Sequence, residues 1–136
     1  NGHVRCRECF KGYEIIKRGK GNCVAKSSLL ASLLMTRIPA NRIQIEIGKM
    51  AKNGVPLENG VHSWVVVQKS NGKRYLLEST QPPQKWVTPE EVADQYIPSV
   101  VMTADGAPGG FVCNDPELCV NIPKMNAACR CSESLS

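Results

Sequence analysis

Apolar and polar positions divide the chain into a few readable segments. Over residues 23–37, Leu29, Leu30, Leu33 and Leu34 cover a wide arc at helical spacing. Asn22 stands where an N-cap belongs, and Pro39 closes the segment. So much leucine around the circumference predicts a helix buried on most sides. Ile43, Ile45 and Ile47 then alternate with Arg42, Gln44 and Glu46, the two-residue period of a half-buried strand. Residues 53–60, Asn-Gly-Val-Pro-Leu-Glu-Asn-Gly, are dense in turn formers and predict a loop. Residues 61–69 and 73–80 predict two more strands, joined through Asn71-Gly72 as an antiparallel hairpin.

Farther on, Pro82-Pro83 stops the sheet. Thr88-Pro89-Glu90-Glu91 is a capping box with proline at the first helical position, predicting a short helix to about Tyr96. Residues 97–102 predict another strand. Residues 1–22 are polar and glycine-rich, with a short helix expected near Tyr13 to Lys17. From Thr103 onward glycine and proline predict an irregular tail. The expectation is one domain over residues 1–136, its core near 18–102 and its cysteine-rich tail at 103–136. The fold class is α+β, a buried helix packed on an antiparallel sheet.

The turn between the hairpin strands decides which side chains share a face. A two-residue Asn71-Gly72 turn would set Glu78 opposite Val65, and His62 and Glu78 would then point to opposite sides. A three-residue loop, Ser70-Asn71-Gly72, with Gly72 left-handed and a bulge, moves the pairing by one. Lys69 then pairs with Lys73, Val67 with Tyr75, Val65 with Leu77 and Trp64 with Glu78. Glu78 becomes a same-face diagonal neighbour of His62, roughly 7–8 Å away along the backbone. The second register also gives a coherent apolar face, and it is the one expected.

Composition narrows the function classes. At 136 residues the chain is large enough for a hydrophobic core. No apolar run approaches the roughly 20 residues that span a bilayer. The net charge of +5 comes from dispersed Lys and Arg, without a polybasic tract. Two Trp, three Tyr and two Phe are few for a base-stacking platform. Neither a nucleic acid nor a membrane is expected as partner. Beginning at Asn1-Gly2 rather than Met, the chain reads as an excised domain or a processed form, and its compartment stays open.

Seven cysteines are many for this length. Setting Cys23 aside leaves Cys6, Cys9, Cys113, Cys119, Cys129 and Cys131. That even set suits disulfides in an oxidising compartment. Cys6-x-x-Cys9 with Cys129-x-Cys131 suits zinc, although Cys-x-Cys is uncommon in structural zinc sites. Six free thiols in a reducing compartment is the third reading, and the sequence leaves all three open.

Cys23 opens the leucine-rich helix, where unpaired N–H groups and the helix dipole stabilise a thiolate. Lys20 and Lys26 add positive charge, and Gly19 and Gly21 leave room for a substrate backbone. Backbone N–H groups around Asn22 and Cys23 are placed to hold an oxyanion. His62 lies on one strand, two residues before Trp64, and Glu78 ends the next. Nucleophile, base and orienting carboxylate thus follow in order on helix, strand and strand.

Gly21-Asn22-Cys23, His62-Ser63-Trp64 and Glu78-Ser79-Thr80, with Ile38-Pro39-Ala40-Asn41-Arg42 between helix and strand, resemble the transglutaminase-like superfamily and its papain-like core. The resemblance covers about residues 18–102. It implies Cys23 as nucleophile, His62 as general base and acid, and Glu78 as orienting carboxylate, with Asn22 and Trp64 near the oxyanion and substrate. The family's acid is more often Asp, so Glu78 changes reach and angle. The N-terminal portion is also short for the family. The reaction implied is acyl transfer through a thioester on a peptide or protein amide, without cofactor or metal. Resolution by water gives a peptidase or amidase, and resolution by an amine gives a crosslinking enzyme. Few aromatics are available to build a water-excluding tunnel, which favours hydrolysis. A catalytically idle transglutaminase-like module that binds a peptide or protein is the alternative.

Overall fold

The computed structural model describes residues 4–7, 23–78, 86–104, 111–113 and 130–133. One helix, α1 (Cys23–Leu34), packs on an antiparallel sheet, an α+β arrangement. The strands are β1 (Val4–Arg7), β2 (Ile43–Lys52), β3 (Val55–Gln68), β4 (Arg74–Leu77), β5 (Tyr96–Ala104), β6 (Phe111–Cys113) and β7 (Arg130–Glu133). Their order across the sheet is β4-β3-β2-β5-β6-β1-β7.

The helix begins at the expected residue and ends early. After Leu34 the chain makes a last turn, with Ile38 N–H donating to Leu34 O at 2.8 Å, before Pro39 leads into a 3-10 turn at Ala40–Arg42. Over residues 26–34 only Leu33 is exposed, in keeping with the expectation of burial on most sides. Ser27, Ser28 and Ala31 face the sheet, whereas Leu33 is 58% exposed. Small residues let the helix lie close to the sheet, and Leu30 and Leu34 fill the flanks.

Strand alternation separates two apolar layers. Ile43, Ile45, Ile47, Val65, Val67, Leu77, Val100, Met102 and Phe111 form the core under α1. Trp64, Val66 and Leu76 form a smaller layer on the opposite face, with Val87, Val92 and Tyr96 against it.

The β3–β4 hairpin adopts the bulged register. Val65 pairs with Leu77 and Val67 with Tyr75. Lys69 N–H donates to Lys73 O and Gly72 N–H to Lys69 O, both at 2.9 Å, and Gly72 carries φ 85°. Strand β4 stops at Leu77, so Glu78 lies just beyond the ladder; Ser79, Thr80 and Pro82-Pro83 lie outside the described residues.

Three other expectations need correction. Residues 55–60 belong to β3 rather than to a loop, because Asn53 (φ 53°) and Gly54 (φ 80°) suffice for a tight turn that pairs Lys52 with Val55. The Thr88 capping box forms, with Thr88 N–H donating to Glu91 Oε2 at 2.7 Å. However, it supports only a 3-10 turn, Glu90–Val92, because Tyr96 is drawn into β5 beside β2. The region after residue 103 is not wholly irregular. It supplies the end of β5, then β6 and β7, and β1 comes from the polar N-terminal stretch. These strands are three or four residues long, too short for alternation to stand out, and Phe111 and Cys113 are fully buried. Cys113 is disulfide-bonded. The helix expected near Tyr13 lies outside the described residues.

Candidate active site

The bulged hairpin brings His62 and Glu78 together. His62 Nε2 lies 2.9 Å from Glu78 Oε1 and 3.0 Å from Oε2. An ionised carboxylate only accepts, so Nε2–H donates to both oxygens. The pair is sheltered, with side chains 14% and 5% exposed. Low water access strengthens such a contact.

Neighbours brace the pair. Tyr96 donates its hydroxyl to Glu78 Oε1 at 2.7 Å. Burial, and then the bonded carboxylate, push the Tyr96 phenol well above its ordinary range, so it remains a donor throughout the neutral region. The Trp64 ring meets Tyr96 edge-on at 5.0 Å between centroids and lies 6.3 Å from the His62 ring. Trp64 is fully buried and its Nε1–H donates to Glu46 Oε1 at 2.9 Å. A cavity of about 330 Å³ opens beside this cluster, walled in part by Glu46, Trp64, Arg74, Leu76 and Tyr96.

Gly48 stands directly opposite His62 in the β2–β3 ladder, and the β2–β5 register shifts at Ile47/Gly48. A Cβ at Gly48 would run into the Ile97 carbonyl, so glycine is what admits the β5 backbone there.

Cys23 is the first residue of α1. Farther along α1, Ser27 Oγ lies 2.9 Å from Ser63 Oγ, which ties the helix to the residue following His62. Ser63 shares its strand side with Val65 and Val67 under the helix, whereas His62 shares the opposite side with Trp64. Asn22 lies outside the described residues. Among the described residues no three His, Cys, Asp or Glu side chains gather as metal ligands would, and no helix is long and apolar enough to cross a membrane.

Sequence reasoning missed Tyr96, Glu46 and Gly48. Glu46 carried one signal: a carboxylate between Ile45 and Ile47 would face Trp64 once the Asn53-Gly54 turn was read as a tight hairpin. Tyr96 is two strands away from β3, and no local pattern announces its reach. No protein-family model, curated protein or solved structure matches the chain.

Proposed function

We propose that this chain is a thiol-dependent acyl-transfer enzyme with a transglutaminase-like, papain-like core, acting on amide bonds of peptides or proteins and resolving the thioester with water. The observation that carries the reading is the His62–Glu78 contact, a base held by a buried carboxylate. Its support is the position of Cys23 at the opening of α1.

Because Nε2 faces Glu78, Nδ1 is the ring nitrogen assigned to the thiol. It takes the Cys23 proton, and sulfur attacks the amide carbonyl carbon. Backbone N–H groups around Asn22 and Cys23 hold the oxyanion. The C–N bond breaks as imidazolium protonates the leaving amine. Water, giving a proton to Nδ1, then attacks the thioester and frees acid and thiol. An amine in place of that water gives the crosslinking variant. The sulfur has to meet the imidazole past the end of the regular ladder, where β4 has stopped at Leu77 and the β2–β3 register shifts beyond Lys49–Val61.

The second reading, an idle module that binds a peptide or protein, is favoured by one observation: α1 packs on the Ser63 side of the sheet and His62 lies on the other. A thiol-reactive acyl probe separates the two. The enzyme labels at Cys23, and both Cys23→Ala and His62→Ala abolish labelling without loss of fold. Equal labelling of the native chain and His62→Ala refutes the catalytic reading.

A further inference from the structure

Glutamate at position 78 has one more rotatable bond than the aspartate usual at such a site, and a loose carboxylate orients an imidazole poorly. In this chain the added freedom is restricted. Glu78 Oε1 accepts from His62 and from Tyr96, on strands β3 and β5 that are separated by β2. The intervening β2 residue opposite both His62 and Pro98 is Gly48, which puts no side chain on the surface between them. The edge-on Trp64 ring, its N–H held by Glu46, limits the tilt of Tyr96.

We infer that Tyr96 is a positioning residue for the His62–Glu78 pair, its hydroxyl fixing one carboxylate oxygen so that the longer glutamate arm keeps facing the imidazole. The catalytic meaning of this brace rests on the acyl-transfer reading, but the brace itself does not. Among the described residues, the charged groups that line the cavity on this side are Glu46 of β2, Arg74 of β4, whose Nη2 is 3.9 Å from Glu46 Oε2, and Glu90.

Tyr96→Phe in the full chain removes the hydroxyl and keeps the ring against Trp64. Two readouts follow: the His62 imidazole titration by NMR, and the pH profile of Cys23 alkylation. With the carboxylate released, the His62 midpoint falls and alkylation at neutral pH slows about fivefold, the scale of one lost hydrogen bond. Both effects vanish in a Glu78→Gln background, which a general loss of packing would not produce. An unchanged His62 midpoint, or an equal fall in the Glu78→Gln background, overturns the inference. So does spectrophotometric titration of the native chain in which all three tyrosines ionise near pH 10, about the free phenol value, a test that needs no variant to fold. If Cys23 proves no more reactive than the other thiols while the His62 midpoint still falls, the brace stands and the acyl-transfer reading fails.

Discussion

Glu78 holds His62 through both carboxylate oxygens, at 2.9 and 3.0 Å, from sixteen residues away along the chain. Glu78→Gln keeps the shape and replaces a charge-assisted bond with a neutral one. The Gln variant should be less stable by about 1 kcal/mol. Denaturant melts measure it.

That contact depends on a single loop residue. Gly72 sits at φ 85°, a region costly for any residue with a Cβ. Gly72→Ala should cost about 1 kcal/mol. Thermal melting of the Gly72→Ala variant measures it.

Gly48→Ala tests the close approach of β5. Its Cβ would meet the Ile97 carbonyl, which is backbone and cannot rotate aside. A loss of about 1–3 kcal/mol is expected, with the His62–Glu78–Tyr96 cluster disturbed along with it. Thermal melting and the His62 resonance report on both.

Ser27 and Ser28 are equally buried but should respond in opposite ways. Ser27 is bonded to Ser63, whereas Ser28 Oγ is buried without a hydrogen-bond partner among the described residues. Ser27→Ala should lose about 1 kcal/mol, and Ser28→Ala should be neutral or stabilising by up to about 1 kcal/mol. Urea denaturation distinguishes the two.

Glu91 should titrate below the ordinary glutamate range, because the Thr88 backbone N–H, and then its hydroxyl, bond the ionised form. The stabilisation of the capping box is present above the unfolded glutamate pKa and lost as pH falls through the folded value. Thr88→Ala should move the Glu91 midpoint partway back up, read by carboxyl-carbon NMR.

Residues 61–78 were legible because two constraints agree: Val65, Val67 and Leu77 make an apolar face only in the register that the Gly72 bulge allows. The helix α1 was legible from its leucines, but not that Ser27, Ser28 and Ala31 rather than leucines make its fully buried face. The short outer strands and the Tyr96 brace were not legible. Their partners are distant in sequence, as when Val4 pairs with Cys113, and no local period records such a meeting.

Alkylation of the full chain with iodoacetamide at about pH 6.5, followed site by site with mass spectrometry, tests the catalytic proposal most directly. Cys23 should react far faster than any other thiol, and His62→Ala should remove that advantage. Uniform, slow labelling of all accessible cysteines, unchanged by His62→Ala, would contradict it.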